Sequence, residues 1–411
     1  MRQLLSVAAA ILCIPILLKC GLTIGPVLLI LGVAAGFLGG LGPQAVLTAF
    51  TDVFTQASSL SSVLIVVEIG MLSVLMAQYG LLERMERAMR KLIPSARINI
   101  MLIPAMVGIL QAPGGAAVSA PPVNRLGEEM GLTRAQRSNI NVVCRHFLVV
   151  FASFSVNMIV VQSVAPQVDI IRLGLLNFPF VLLMQAAGYF IFLRKAKPLP
   201  LEKVSVRAWW GALGEFLIAM SPVFSIILIN ALFGTPYELA LLVSFLLVFL
   251  LGREKKEFPL RLVKSFSPSL AVLIVGVYFF QHIVERMDDL LALFAALING
   301  QSSLMFLTMV AVVGICFGLA TGLMYLPLGV LIPIVVAAPH ASEMALLVDL
   351  FYAFIWCFIG YLFSPLHLCQ LLSDKETGCT VGERYKTYLP LMVVLPILVV
   401  ALYFLYKLIL L

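Results

Sequence analysis

Apolar residues run along this chain in long blocks broken by short polar stretches. The blocks fall at roughly 3–19, 22–39, 58–80, 99–123, 139–164, 170–193, 211–232, 236–251, 266–284, 303–335, 346–371 and 387–409. About 20 apolar residues are needed for a helix to cross a bilayer, and most blocks approach that length. Two differ from the rest. "QAPGGAAVSAPPV" (111–123) holds three prolines and the adjacent Gly114 and Gly115, and "GLATGLMYLPLGV" (318–330) holds Gly318, Thr321 and Gly322. Irregular backbone at membrane depth is tolerated only where protein buries it or it lines a wet cavity, and glycine permits the tight turn. The pattern therefore predicts two re-entrant hairpins, 99–123 and 303–335, each returning to the side it left, and ten crossing helices. A Pro-kinked helix packed by small residues is the competing reading of the first hairpin.

Composition agrees with this picture. The chain is 62% hydrophobic and 11% charged, where soluble domains are nearer half apolar and a quarter charged. The first block continues into the second with no small-residue cleavage site, so it reads as a retained helix rather than a signal peptide. The net charge of +7 does not point to nucleic acid, because topology accounts for it. With both termini outside, 22 of the 27 Lys and Arg residues fall in inside segments. Only Arg2, Arg172, Arg286 and Lys407 lie outside, and Arg145 sits within a helix. That bias follows the positive-inside rule and would degrade if either hairpin were a full crossing. The seven cysteines are scattered without a CxxC pair, which argues against a disulfide framework or a zinc site.

The blocks also repeat. Residues 1–195 and 211–411 each read as three spans, a hairpin and two spans, joined by a cytoplasmic linker, 196–210. "QYGLLERM" (78–85) follows the third span of the first half and "QHIVERM" (281–287) that of the second. Both read as interfacial amphipathic arms. Five spans per half is odd, so the second half is expected to be inverted. Inverted repeats with broken helices are typical of secondary transporters, whose sites lie at the repeat interface.

Three stretches together carry a family resemblance: "PGGAAVSAPPV" (113–123), "NVVCRHF" (141–147) and "LFSPLHLC" (362–369). They resemble the prokaryotic integral membrane family called domain-of-unknown-function family 401, over essentially the whole chain. That family is grouped with the ion transporter superfamily of citrate, gluconate, dicarboxylate and arsenite carriers. The resemblance implies an elevator-type fold in a prokaryotic cytoplasmic membrane, and it implies no particular substrate. The motif positions Pro113 to Pro121, Asn141, Arg145, His146 and Ser364 to Cys369 match the family pattern. The chain departs from it at "FLVVF" after Arg145–His146 and at "SDKE" after Cys369.

Candidate chemistry gathers near the hairpins. Arg145 is the one basic residue within a predicted span, and a membrane-embedded guanidinium needs a partner or a wet cavity. It reads as an anion ligand, or alternatively as a snorkelling structural residue. His146 beside it titrates near neutral pH. Glu68, deep in the third span, is the candidate coupling site, or else a structural partner of Arg145 or a hairpin. Glu215 reads as interfacial. Gly114, Gly115 and Ser119 are expected to meet Ser155 and Asn157. Thr321 and Gly322 are expected to meet Ser364 and His367, where Pro365 opens the helix. The alternative for the hydroxyls is bonding to their own helix carbonyls. Asn141 completes the substrate set.

The function expected is a secondary transporter of a small anion, a carboxylate by preference, coupled to H⁺ or Na⁺, with no other cofactor and no nucleic-acid partner. A channel or lipid flippase is the alternative. A membrane-embedded enzyme is less favoured, because no HExxH, GxSxG or paired aspartates lie on spans. A homodimer is expected, with 1–39 and 211–251 as scaffold and dimer contact.

Overall fold

A computed structural model describes residues 2–108, 115–199, 204–290, 292 and 303–411. Among the described residues all regular structure is helical, with no strand. The first half contains α1 (Arg2–Lys19), α2 (Ile24–Gly39), α3 (Pro43–Thr55), α4 (Ala57–Gln78), α5 (Leu81–Leu92), α6 (Ala96–Gly108), α7 (Gly115–Glu129), α8 (Arg134–Arg145), α9 (Val156–Val164) and α10 (Ile170–Gly188). The last continues through a π-helical turn, Tyr189–Leu193. The second half contains α11 (Val206–Phe233), α12 (Tyr237–Leu251), α13 (Phe258–Ser265), α14 (Pro268–Glu285), α15 (Ser303–Thr321), α16 (Tyr325–Ala337), α17 (Glu343–Phe363), α18 (Leu368–Thr377) and α19 (Val381–Leu410).

Seven helical stretches among the described residues are long and apolar enough to cross a membrane, so the protein is a multi-pass helical membrane protein. Several predicted crossings are shorter. α2 and α12 offer apolar helices of fewer than 18 residues. Two predicted spans are interrupted: 139–164 breaks between α8 and α9, and 346–371 breaks between α17 and α18. α3 and α13 were not expected as elements. The "QHIVE" stretch stays inside α14 rather than forming a separate arm.

Local chemistry explains where the helices stop. Thr133 and Gln136 form a capping box that starts α8, Ser155 caps α9 and Ser342 caps α17. Each supplies an acceptor to otherwise orphaned backbone N–H groups. Between α17 and α18, Pro365 cannot donate to the helix ladder. Between α8 and α9 the irregular backbone is held from α10, where Asn177 Nδ2 donates to the Val150 carbonyl at 2.8 Å. Gly174 lets that carbonyl region approach: a Cβ there would stand 2.3 Å from the Phe151 carbonyl oxygen.

Close packing in lipid depends on small residues, because lipid tails are as apolar as leucine. α15 lies on α17 through Gly314, Gly318 and Gly360; a Cβ on Gly318 would stand 2.5 Å from the Tyr361 amide nitrogen. α17 and α18 form the most enclosed element, with 83% of the apolar window buried, against 22% for α19.

Apart from α5, which has no counterpart among the described residues, the order of elements in the first half recurs in the second, and the contacts between halves are largely reciprocal. α2 packs on α14 and α12 on α4; α3 packs on α14 and α13 on α4. α7 packs on α18 and α16 on α9; α8 packs on α19 and α17 on α10. Several packings among the described residues lack a comparable counterpart, including α8 on α18, α4 on α9, α14 on α16 and α1 on α15.

Candidate functional site

The two interrupted helices come together. α8 has 12 residues, about 18 Å at 1.5 Å per residue, which puts its end near half the depth of a ~30 Å hydrocarbon core. α18 runs antiparallel beside it, and paired side chains fix the register. Ser138 Oγ donates to Asp374 Oδ1 at 2.6 Å. Asn141 Nδ2 donates to Ser373 Oγ at 2.7 Å. Arg145 reaches the Cys369 thiol. The His146 and His367 rings stand edge to face with centroids 4.8 Å apart. Ser138, Asn141, Arg145, His146, His367 and Ser373 are all buried.

The deep end of this seam is the densest polar cluster. His146 Nδ1 lies 2.6 Å from the Val142 carbonyl oxygen, and Tyr361 Oη lies 3.0 Å from His146 Nε2. Tyr361 also stacks on His367, with centroids 4.1 Å apart. His367 Nε2, Asn141 Oδ1, Asn157 Oδ1 and Gln370 Oε1 are buried without a hydrogen-bond partner. Leaving one such atom unsatisfied costs about 1–3 kcal/mol, so their concentration at the interruptions marks a place built for more than packing.

The α6–α7 and α15–α16 pairs meet the two interruptions. Gly108, the last residue of α6, abuts the end of α8: a Cβ there would stand 2.0 Å from the Arg145 carbonyl oxygen. Asn141 Nδ2 also donates to the Ala116 carbonyl in the first turn of α7, at 3.2 Å. In the second half Gly322 adopts a left-handed φ of 65°. A Cβ there would stand 2.7 Å from the Leu366 carbonyl carbon. Ser364 Oγ donates to the Leu319 carbonyl at 2.7 Å and accepts from the Leu366 amide at 3.1 Å.

The structure thus brings Asn141, Arg145, His146 and His367 into one seam, with Ser364, Thr321 and Gly322 around the adjoining turn. Thr321 Oγ1 donates to its own helix at Phe317, 2.7 Å away, so its hydroxyl shapes the turn. Ser119 is buried, with a long 3.5 Å contact to the Ala116 carbonyl. Gly115 opens α7, and Gly114 lies outside the described residues. The expected meeting of Ser119 with Ser155 and Asn157 is not made. Ser155 accepts from the Met158 amide at 3.2 Å as the cap of α9, and α9 packs on α16 and α4 while α7 packs on α8 and α18.

Glu68 lies elsewhere. It is half-buried on α4, its Oε2 has no hydrogen-bond partner, and Glu238 in the first turn of α12 is the charged group that acts on it. Ser61 Oγ donates to Glu238 at 3.0 Å. Glu215 is exposed and paired with Arg84 at 2.8 Å, in keeping with an interfacial position.

Sequence reasoning missed the base of the seam. Arg384, expected in a cytoplasmic loop, is fully buried and paired with Asp374. Tyr361, Cys369, Gln370 and Ser373 were missed as site residues too. A signal existed, since Gln370, Ser373, Asp374 and Thr377 fall at i, i+3, i+4 and i+7, one face of a helix.

Two cavities lie along α5. One of about 1370 Å³ is lined by α5, α11 and the α12–α13 region and carries Arg84, Arg87, Arg90, Lys91, Arg253 and Arg261. A second of about 510 Å³ shares Glu83, Arg87 and Arg90 with it and reaches Val107, Val118, Pro121, Pro122 and Arg125 on α6 and α7.

No curated protein matches the chain. A family described as "Protein of unknown function (DUF401)" matches residues 3–406, and the chain belongs to that family.

Proposed function

We propose that the protein is a secondary active transporter of a small anion of the carboxylate class, working by elevator-type alternating access. The observation that carries this reading is the meeting of two interrupted helices at Arg145, His146 and His367, each flanked by a hairpin. Three helices, α9, α16 and α18, begin at interruptions inside apolar elements. Helix N-termini carry partial positive charge and unpaired N–H groups, which favour anions. Arg145 adds a full charge beside them.

The recurring element order and reciprocal packing are what two repeats related by a two-fold axis produce, because a contact of element i with j′ is then matched by one of j with i′. Inversion of the second half follows from the odd number of crossings per half, and such repeats rock against each other around a fixed site. The unmatched packings support alternation. α16 packs on α14, whereas a cavity opens between α7 and α5, which α6 still contacts. The basic residues of that cavity would draw anions from the cytoplasmic side. α1, α2, α11 and α12 would serve as scaffold and dimer contact. Coupling is assigned to H⁺ or Na⁺, with the Glu68–Glu238 pair as the binding site.

The test is a thermal-shift screen of the purified protein against mono-, di- and tricarboxylates and oxyanions, with and without Na⁺. A ligand that binds only the folded state raises apparent stability. The expected result is a carboxylate shift lost in Arg145→Ala and kept in Glu215→Ala. Shifts from lipids or cations alone would refute the anion reading and favour a flippase or channel.

A further inference from the structure

The two histidines of the seam also belong, with Cys369, to a metal-ligating constellation. His146 Nδ1 sits 2.6 Å from the Val142 carbonyl, so a ring N–H donating there leaves the lone pair on Nε2, where a metal would displace the Tyr361 hydroxyl that lies 3.0 Å away. His367 Nδ1 faces the Leu362 carbonyl at 3.5 Å, and its Nε2 is buried without a partner. Backbone carbonyls that orient imidazoles in this way are the usual outer support of a metal-ligating histidine. The Cys369 thiol completes the set: the three ligand atoms lie within 4.8 Å of one another.

We infer that His146, His367 and Cys369 form a binding site for a thiophilic monovalent cation, Cu(I) being the natural probe. Two imidazoles and a thiolate suit soft d¹⁰ ions. Charge selects among them. The thiol releases its proton to solvent on binding, and thiolate plus a monovalent cation is neutral beside the Arg145 guanidinium. A divalent ion would leave a net positive site against that guanidinium, which is repulsive at this depth.

The site bridges the halves, since His146 belongs to the first and His367 and Cys369 to the second. α8 packs on α18 without a comparable packing of α17 on α9. The bound ion would therefore hold the conformation in which the α8–α18 seam is closed and stop turnover. This consequence rests on the alternating-access reading, while the site itself does not.

Binding is tested on the purified full chain, anaerobically, with Cu(I) buffered by a chromophoric chelator. The expectation is one Cu(I) held per chain, with affinity falling at least about tenfold in His367→Ala, His367→Gln and Cys369→Ser. His340→Ala should retain full affinity. The histidine variants keep all seven cysteines, so their effect isolates the imidazole. X-ray absorption should show mixed sulfur and nitrogen ligation. Unchanged affinity in both His367 variants, an all-sulfur spectrum, or preferential retention of Zn²⁺ would overturn the assignment. Cu(I) binding without loss of anion uptake would overturn the lock and leave the site standing. Binding in a protein that moves no anion would refute the transporter reading alone.

Discussion

Removing the carboxylate of Asp374 should destabilise the protein more than any exposed charge substitution. Arg384 is fully buried and its Nη1 is paired with Asp374, while its Nε and Nη2 have no hydrogen-bond partner. Its other neighbour is the Tyr385 ring, 4.9 Å from the guanidinium carbon, and a cation–π contact is worth about 0.5–2 kcal/mol. Asp374→Ala therefore strands a buried cation, a change that costs about 3–5 kcal/mol. Ser138→Ala removes only the hydroxyl that donates to the same carboxylate at 2.6 Å, and a bond to a charged group contributes about 1.5–3 kcal/mol. Replacing both charges, as Asp374→Leu with Arg384→Met, avoids the stranded cation, and such apolar replacements are often near neutral. The assay is equilibrium unfolding of the purified protein in mixed detergent, run as a double-mutant cycle. A cost below about 1 kcal/mol for Asp374→Ala, or a double variant no better than Asp374→Ala, would refute the reasoning.

Other outcomes follow from the same contacts. Gly108→Ala places a methyl against the Arg145 carbonyl; it should shift α6 away from α8 and cost about 1–3 kcal/mol, the range for overpacking, read by the same unfolding assay. Gly322→Ala combines a left-handed backbone with a clash at Leu366. It should lower both stability and any anion-induced shift, whereas Gly382→Ala, with open space around it, should change neither. Arg84→Ala breaks an exposed pair with Glu215 and should alter stability by less than about 1 kcal/mol, checked by thermal melting.

Much of the helical layout was legible because lipid imposes a long apolar period. The runs at 170–193 and 387–409 correspond closely to α10 with its π turn and to α19. The break at Gly322 was equally readable, since glycine acts locally, whereas the first break, 109–114, lies outside the described residues. What escaped was polar structure buried by tertiary contact. "SDKE" after Cys369 reads as loop by charge alone, yet Asp374 is drawn inside by Ser138 and Arg384, which lie far apart in sequence. Likewise "FLVVF" after His146 is apolar enough to extend a helix. Its irregular path depends on the Asn177 side chain and on Gly174 in α10, which no local pattern reveals. Thr321 was assigned to ligand binding because a hydroxyl at a turn can do either job, and its bond to Phe317 emerges only in three dimensions.

The most direct measurement is uptake of the best-stabilising anion by proteoliposomes, with and without an imposed proton or sodium gradient. The account predicts accumulation that requires one of the gradients, is abolished in Arg145→Ala and persists in Glu215→Ala. Equal uptake with and without either gradient, or full uptake by Arg145→Ala, would contradict it.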